Sequence, residues 1–245
     1  VTTRRRGTVR RRYTLTSTRW ILRMRLIAHR GFASVNPENT LRAVENAAAV
    51  ADEIEIDVRR CASGELVVIH DSTVDRVTDA HGAVREYTQT DLQSMRVLGT
   101  EAGIPTLATV LDSVPDRIGI NVELKEHGLA IDALRLINAL HPNALVSSFL
   151  PDALADCRAA DPTVPRAYLT DGSGSEGLET AIELDCAFLH PSVEICTDRL
   201  VNEAQRAGIQ INAWTIETAE EAASLSSVGV DGVIADRPDV LSVGS

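Results

Sequence analysis

Residues 53–71, with the sequence EIEIDVRRCASGELVVIHD, decide how the chain is expected to fold. Two runs rich in β-branched residues, Ile54–Val58 and Leu66–Ile69, predict a pair of short strands. The Ser63-Gly64 pair between them is typical of a tight turn, so the two strands should form an antiparallel hairpin.

The predicted hairpin groups polar side chains in a way that indicates a site. Side chains of a strand alternate between its two faces, so Glu55 and Asp57 share one face and the apolar residues share the other. A second strand that returns antiparallel brings His70 close to both carboxylates. The alternative is an ordinary strand with a solvated polar face, which is common in antiparallel sheets. Similar polar groups recur on later strands, and this recurrence favours a site.

Elsewhere in the chain, apolar strand-like segments alternate with helix-like segments. Eight strands are predicted near residues 26, 54, 118, 144, 165, 186, 209 and 231, and Leu66–Ile69 is an additional return strand. Eight strand–helix repeats in 245 residues predict the α/β class and a closed (β/α)8 TIM barrel. Residues 72–105 interrupt the alternation, and we expect a small insertion there, with a short helix at Thr90–Val97, beside the mouth of the barrel.

Local signals predict where two of the helices begin. Asn36, followed by Pro37 and Glu38, is a typical helix start, because Asn caps a first turn and Pro fits its first position. The Gly- and Ser-rich residues 171–177 are expected to form a loop before a helix over residues 178–184.

The charge of the chain is unevenly distributed. The formal net charge is −11, but residues 1–25 contain nine arginines and no acidic residue, which leaves −20 for residues 26–245. Such an acidic body repels nucleic acids and anionic lipid surfaces. An anionic substrate would therefore need local positive charge, and Lys125 is the only lysine of the chain.

Residues 1–24 are expected to form a disordered basic extension, followed by one domain over residues 25–245. Met24 stands directly before the first predicted strand, which leads to the hypothesis that translation begins there. The alternative is a basic arm that binds nucleic acid.

Cysteine spacing and hydropathy predict a cytoplasmic protein without membrane insertion. The sequence shows no apolar run of about 18 residues and no recognisable signal peptide. Nothing in it specifies an oligomeric state. The cysteines lack zinc-site spacing and are expected to be reduced thiols; they are Cys61, Cys157, Cys186 and Cys196.

Polar side chains stand at the ends of three predicted barrel strands, where barrel enzymes carry their active sites. They are His29 and Arg30, then Glu55 and Asp57, then Glu123 and Lys125. Three neighbouring carboxylates raise one another's pKa unless a cation lies among them, and oxygen ligands suit Mg²⁺ or Ca²⁺. The alternative is a structural network in which the lysine neutralises a glutamate.

The remaining polar residues at this rim indicate acid–base chemistry on a phosphate. His29 and His70 each end a strand, and together they suit a general acid and a general base. Arg30 and Lys125 supply the positive charge that an acidic protein needs to hold a phosphate. The alternative for Arg30 is an ion pair with one of the two glutamates.

Eight short motifs run in order from about Leu26 to Leu241. They are His29-Arg30-Gly31, Pro37-Glu38-Asn39-Thr40, Glu55-x-Asp57, His70-Asp71, Ile104-Pro105-Thr106-Leu107, Glu123-x-Lys125, Ala213-Trp214-Thr215 and Asp231-Gly232-Val233-Ile234-Ala235-Asp236-Arg237-Pro238. Each motif is weak alone, but the ordered set is specific. In this order of motifs the chain resembles the glycerophosphodiester phosphodiesterases.

The resemblance implies a barrel hydrolase that cleaves glycerophosphodiesters into sn-glycerol 3-phosphate and an alcohol. It implies that Glu55, Asp57 and Glu123 bind one divalent cation, either Mg²⁺ or Ca²⁺. It also implies that His29 and His70 act as acid and base, in either order. The attacking group is open as well, because water or the neighbouring glycerol hydroxyl could attack the phosphorus.

Further residues receive roles through the resemblance. Arg30 and Lys125 hold the phosphate, and Trp214 either lines the glycerol side or packs within the barrel. The supporting residues are Asp71, which orients the hairpin, and Glu38 and Asn39, which support the metal site or begin a helix.

Two other functions are compatible with these residues. A lipid-directed phosphodiesterase of the same superfamily, similar to phospholipase D, would need an exposed apolar rim, whereas only 3% of the residues are aromatic. A catalytically inactive barrel that binds glycerophosphodiesters would need no acid–base pair, whereas both histidines are present. A hydrolase acting on a small-molecule glycerophosphodiester, with no nucleic-acid partner, is therefore the preferred interpretation.

Overall fold

Eight parallel strands close into a barrel in the computed structural model, which describes residues 24–241. The strands in chain order are β1 (Arg25–Ala28), β2 (Glu53–Arg60), β3 (Leu66–Val68), β4 (Gly119–Leu124), β5 (Ala144–Ser148), β6 (Arg166–Thr170), β7 (Phe188–Pro191), β8 (Gln210–Ile216) and β9 (Gly232–Ala235). The barrel runs β1-β2-β4-β5-β6-β7-β8-β9 and closes where β9 pairs with β1. β3 pairs antiparallel with the C-terminal end of β2. The predicted (β/α)8 barrel with a return strand is confirmed.

Helices connect the strands around the barrel. They are α1 (Leu41–Ala47), α2 (Gln89–Ser94), α3 (Leu107–Ser113), α4 (Ala130–Leu140), α5 (Pro151–Ala160), α6 (Gly174–Glu183), α7 (Asp198–Ala207) and α8 (Ala219–Val228). Short 3₁₀ turns occur at His29–Gly31, Val84–Glu86, Val97–Gly99, Val193–Ile195 and Pro238–Leu241. The basic extension predicted for residues 1–24 lies outside the described residues, apart from Met24.

The outer face of the barrel is apolar. Ile54, Ile56 and Val58 of β2 are fully buried and belong to the same cluster as the helix residues Leu107 and Leu134. The alternate residues of β2 therefore face the barrel interior, as the period of two in the sequence predicts.

The barrel interior is unusually polar. The interiors of such barrels are normally filled with branched apolar side chains. A small cluster of Leu145, Ala167 and Phe188 fills part of this one. Buried polar side chains occupy other inward positions: Glu53, Glu55, Asp57, Asn121, Glu123, Ser147, His190 and Asn212. The strands thus carry polar groups from the floor of the barrel to its mouth.

Arg25 satisfies polar groups at the floor of the barrel. Its guanidinium donates to Oε2 of Glu53 at 3.2 Å and to Oδ1 of Asn212 at 3.0 Å. The amide nitrogen of Asn212 lies 2.9 Å from Nε2 of His190, whose pKa is lowered to about 3 by burial and the charge of Arg25. His190 is therefore neutral and accepts this hydrogen bond.

Residues 72–105 form the predicted insertion, and its core is attached to the hairpin. Val67 and Ile69 of the hairpin cluster with Val74, Leu92 and Ile104. The short helix expected at Thr90–Val97 is present as α2, which begins one residue earlier and ends three residues earlier. The insertion is thus packed against β3 and not against the barrel wall alone.

Two predicted helix starts are wrong. α1 begins at Leu41 and is capped by Thr40, whose Oγ1 accepts from the N–H of Ala43, and not by Asn36. Asn36 instead donates to the main-chain oxygen of Gly31, and the φ of +58° at Asn39 turns the chain before the helix begins.

α6 begins at Gly174, inside the stretch that the composition predicts as a loop. Ser173 caps it, and its side chain accepts from the N–H of Glu176. Glycine is needed for packing here, because a Cβ on Gly177 would lie 2.7 Å from Cγ2 of Thr170 on β6. Gly177 is therefore required by a close helix–strand contact.

Two further observations concern compartment and membranes. The four cysteines are buried and free, as the scattered spacing predicts. Among residues 24–241, no helix is both long enough and apolar enough to cross a membrane.

Helix α4 offers a matched test of the packing. Ile137 is 1% exposed and Ile131 is 73% exposed on the same helix. Ile137→Ala should lower the free energy of unfolding by about 2–5 kcal/mol because it leaves a cavity, measured by urea denaturation. Ile131→Ala should change it by about 0.5 kcal/mol or less. Equal effects of the two substitutions would contradict this orientation of α4.

Candidate active site

Three carboxylates meet at the mouth of the barrel. Asp57 of β2 is in register with Glu123 of β4, and Glu55 precedes Asp57 by two residues on the same face. One oxygen of each carboxylate lies within 4.8 Å of the other two. Asp57 is fully buried, and Glu55 and Glu123 are 2% and 7% exposed. The structure thus brings together the three residues selected from the sequence as metal ligands.

These carboxylates change one another's ionisation. Burial, together with the charges of Asp57 and Glu123, raises the pKa of Glu55 well above its ordinary value. Burial and the charge of Asp57 likewise raise the pKa of Glu123. Burial acts in the same direction on Asp57, but the charges of Arg30 and Lys125 outweigh it and hold the pKa of Asp57 below its ordinary value. Asp57 therefore carries the negative charge at the centre of the cluster.

The donor set fits a hard divalent cation. The three side chains offer oxygen atoms, the ligands that Mg²⁺ and Ca²⁺ prefer. Oε1 of Glu55 and Oδ1 of Asp57 are buried and have no hydrogen-bond partner among residues 24–241. Nζ of Lys125 lies 2.5 Å from Oε1 of Glu123 and 3.5 Å from Oδ1 of Asp57. The ion pair between Lys125 and Glu123, considered above as an alternative to a metal, is therefore present. It leaves Oε1 of Glu55 and Oδ1 of Asp57 without a hydrogen bond from the described part of the chain and available to a cation.

His29 stands directly after β1, in the turn His29–Gly31. Its Nδ1 lies 2.6 Å from Oδ1 of Asp236, which follows β9, and its Nε2 lies 4.0 Å from Oε2 of Glu55. Because a carboxylate accepts hydrogen bonds, Nδ1 carries a proton and Nε2 is left toward the carboxylate cluster. Asp236 received no role from the sequence, although a polar residue directly after a barrel strand is typical of an active site.

His70 reaches the site from the hairpin. Its Nδ1 lies 2.6 Å from Oδ1 of Asp71, and its main-chain oxygen accepts from Nε of Arg59 at 2.9 Å. Burial lowers the pKa of His70, while the charge of Asp57 and the hydrogen bond with Asp71 act in the opposite direction. The two histidines thus share one arrangement, in which an aspartate engages Nδ1 and leaves Nε2 for other contacts.

Arg30 contacts the carboxylates through its main chain and its side chain. The φ of +50° at Arg30 turns the chain, and its N–H donates to Oε2 of Glu55 at 2.9 Å. The guanidinium donates to Oε1 of Glu38 at 3.0 Å, and its Nε lies 3.3 Å from Oδ2 of Asp57. The side chain of Arg30 therefore forms ion pairs with Glu38 and Asp57. The alternative considered from the sequence, an ion pair with Glu55 or Glu123, is not the one formed.

Glu38 and Asn39 contact residues of the site and do not begin a helix. Nδ2 of Asn39 donates to Oδ2 of Asp57 at 2.8 Å, and the N–H of Asp57 donates to Oδ1 of Asn39 at 3.3 Å. Burial acts to raise the pKa of Glu38, but hydrogen bonds and charge from Arg76 and Arg30 outweigh it and lower the pKa. Arg76 was not predicted as a site residue, because nothing in the local sequence indicates that its side chain reaches Glu38.

Trp214 of β8 lies partly buried beside another aromatic residue. Its Nε1 donates to the main-chain oxygen of His190 at 2.8 Å. Its ring packs edge-on against Phe149, with 5.4 Å between centroids, and Nζ of Lys125 lies 5.8 Å from the Phe149 ring centre. Phe149 was not predicted as a site residue, because an aromatic residue directly after a strand is typical of the hydrophobic core.

Comparison with known proteins decides the family. The model of the glycerophosphoryl diester phosphodiesterase family matches residues 29–240. The chain belongs to this family. It is 31% identical over 232 residues to the glycerophosphodiester phosphodiesterase of Caldanaerobacter subterraneus subsp. tengcongensis, covering 88% of this chain and 95% of that protein.

Solved structures of phosphodiesterases share the fold. An Oleispira antarctica phosphodiesterase in complex with the product sn-glycerol-3-phosphate has a TM-score of 0.82 and 30% identity, over 89% of this chain and 94% of that chain. The glycerophosphodiester phosphodiesterase of Thermotoga maritima has a TM-score of 0.78 and 27% identity, over 89% and 96% of the two chains. The resemblance and the enzyme class predicted from the sequence are confirmed.

The contact between Asn39 and Asp57 gives a stability prediction. Asn39→Gly removes two hydrogen bonds from a fully buried carboxylate residue and still fits the φ of +58° at this position, so the free energy of unfolding should fall by about 2–3 kcal/mol, measured by urea denaturation. Asn46→Ala is the control, because Asn46 is exposed and bonds only a side chain at the surface. A loss at Asn39 no larger than that at Asn46 would contradict the supporting role.

Proposed function

We propose that this enzyme hydrolyses glycerophosphodiesters to sn-glycerol 3-phosphate and an alcohol, with a divalent cation and a histidine acid–base pair. The proposal is carried by one observation. Three buried carboxylates converge near two imidazoles that are each engaged at Nδ1 by an aspartate. The sn-glycerol-3-phosphate in the Oleispira antarctica relative supports the identity of the product.

Glu55, Asp57 and Glu123 would hold the cation. Mg²⁺ or Ca²⁺ supplies stabilisation of negative charge on a phosphate when it is bound. Positive charge among these carboxylates would also lower the raised pKa values of Glu55 and Glu123, so that all three could be ionised together.

Arg30 and Lys125 are assigned to the phosphate. Burial acts to lower the pKa of both side chains, but the neighbouring carboxylates outweigh it and raise the pKa of each. Both therefore stay positively charged in a partly buried place. Their ion pairs also fix their positions before substrate arrives, and preorganised charge is effective at stabilising a transition state.

His29 and His70 are assigned to proton transfer. Nε2 of one imidazole accepts the proton of the attacking oxygen as the new P–O bond forms. Nε2–H of the other gives a proton to the alcohol oxygen as the ester P–O bond breaks. Asp236 and Asp71 hold each ring in one tautomer and stabilise it when it is positively charged. The same two groups serve direct attack by water and a first attack by the neighbouring glycerol hydroxyl.

Trp214 is assigned to the glycerol side of the substrate. Its ring and that of Phe149 form an edge-to-face pair next to Lys125, which combines an apolar surface with positive charge. A glycerol phosphate presents the matching features, because its C–H groups are apolar and its phosphate is anionic.

Several sequence predictions about surroundings stay predictions. They are the single domain over residues 25–245, the cytoplasmic location, the lack of membrane insertion and the lack of a nucleic-acid partner. The charge of −20 outside the first 25 residues is the physical argument for the last of these, because it disfavours contact with polyanions and anionic membranes.

The acid–base assignment predicts large losses of turnover. With glycerophosphocholine and Mg²⁺ or Ca²⁺, His29→Ala and His70→Ala should each lower kcat by about 10²–10⁴-fold, measured as glycerol 3-phosphate release. His81→Ala is the control, since this side chain is 83% exposed in the insertion. Near-normal turnover by either active-site variant would rule out the pair. No turnover of any glycerophosphodiester by the wild type would favour the lipid-directed or binding functions.

The cation assignment can be tested without turnover. Saturating Mg²⁺ or Ca²⁺ should raise the Tm of the wild type by several degrees over its value in EDTA, because a ligand that binds only the folded state stabilises it. Glu123→Gln should lose most of this shift, whereas Glu183→Gln, an exposed residue of α6, should keep it. A full shift in Glu123→Gln, or turnover that survives EDTA, would contradict the assignment.

A further inference from the structure

Arg76 of the insertion joins two parts of the active site. Its Nε donates to Oδ2 of Asp71 at 2.6 Å. Its Nη1 and Nη2 donate to Oε2 and Oε1 of Glu38 at 2.7 and 2.8 Å, which is a bidentate pair. One guanidinium therefore uses three donors on two carboxylates that lie 33 residues apart in the sequence.

Both carboxylates also contact a residue assigned to the reaction. The other oxygen of Asp71 lies 2.6 Å from Nδ1 of His70. Oε1 of Glu38 accepts from Nη1 of Arg30 at 3.0 Å. A continuous series of charged hydrogen bonds thus leads from the imidazole of His70 through Arg76 to the guanidinium of Arg30.

We infer that Arg76 is a positioning residue that orients the imidazole of His70 through Asp71 and anchors Glu38 beside Arg30. This inference rests on the acid–base role proposed for His70. A carboxylate with one oxygen fixed by Arg76 has its second oxygen directed at Nδ1, so the ring cannot rotate freely about its side-chain bonds. The Nε2 atom is then held in one direction for proton transfer.

The charges of the network agree with this role. Partial burial acts to raise the pKa of Asp71, but the hydrogen bonds from Arg76 and His70 outweigh it and lower the pKa to about 2. Hydrogen bonds with Glu38 and Asp71 raise the pKa of Arg76. Asp71 is therefore a carboxylate across the neutral pH range and accepts from Nδ1–H of His70.

Arg76 is not needed to hold the insertion on the hairpin. Val74 and Val77, on either side of it, are buried in the apolar cluster that joins the insertion to Val67 and Ile69. Arg30 also has a contact with Asp57 that does not involve Glu38. Removal of Arg76 should therefore affect the orientation of His70 more than folding or phosphate binding.

Steady-state kinetics on the metal-loaded enzyme with glycerophosphocholine test the inference. Arg76→Ala should lower kcat by about 10–100-fold, as expected for loss of an orienting contact, and change KM by less than about threefold. Arg76→Lys keeps the charge but cannot form the bidentate contact, so it should show a smaller loss of kcat. It provides the measurement if the alanine variant does not fold. Arg85→Ala, an exposed arginine of the same insertion, should behave as wild type.

Two further readouts separate positioning from a general structural effect. Guanidinium ion added to Arg76→Ala should restore part of kcat and should not affect Arg85→Ala. In an Asp71→Ala background, Arg76→Ala should lower kcat by less than about threefold, because the effect of Arg76 on His70 is transmitted through Asp71. Independent effects of the two substitutions, or a kcat of Arg76→Ala within about twofold of wild type, would overturn the role of Arg76. Full activity of His70→Ala would instead overturn the acid–base assignment and the inference with it.

Discussion

The carboxylate of Asp57 is the group on which the rest of the site depends. It is fully buried, and removal of an ion from water costs several kcal/mol unless opposite charge and hydrogen bonds replace the water. Arg30, Lys125 and Asn39 provide these contacts from three separate segments of the chain. The turn after β1, the turn before α1 and the end of β4 therefore have to meet at one point. Many features at the barrel mouth follow from that requirement.

The closed barrel is what allows residues so far apart to meet. His29 and Asp236 are separated by 207 positions, and they touch because β9 pairs with β1 at the point of closure. The same geometry places Asp57 and Glu123 in register on neighbouring strands. An open sheet of the same strands would keep the two carboxylates adjacent but would separate His29 from Asp236. Closure therefore determines the tautomer of one histidine but not the convergence of the carboxylates.

The parts of the site that the sequence predicts are those encoded by local periodicity. Alternation along β2 and β4 is sufficient to select Glu55, Asp57 and Glu123. The C-terminal ends of barrel strands lie at the same rim, and this does not depend on the conformation of the loops. Thr40 as a helix cap and Asn39 as a partner of Asp57 were not predictable in this way. They depend on turns in which Arg30, Phe32 and Asn39 adopt positive φ. The periodicity of apolar residues does not predict turns of this kind. Arg76 was missed for a related reason, since its partners are set by how the insertion folds back over the hairpin.

The two histidines obtain the same local arrangement from different structural sources. The aspartate of His29 is supplied by barrel closure, so its position depends on the pairing of β9 with β1. The aspartate of His70 follows it directly in the chain, so its position depends on the hairpin and on Arg76 in the insertion. The insertion is also the part of the chain that interrupts the barrel repeat and has its own apolar cluster. Substitutions within it can therefore alter the orientation of His70 without touching the contact between His29 and Asp236.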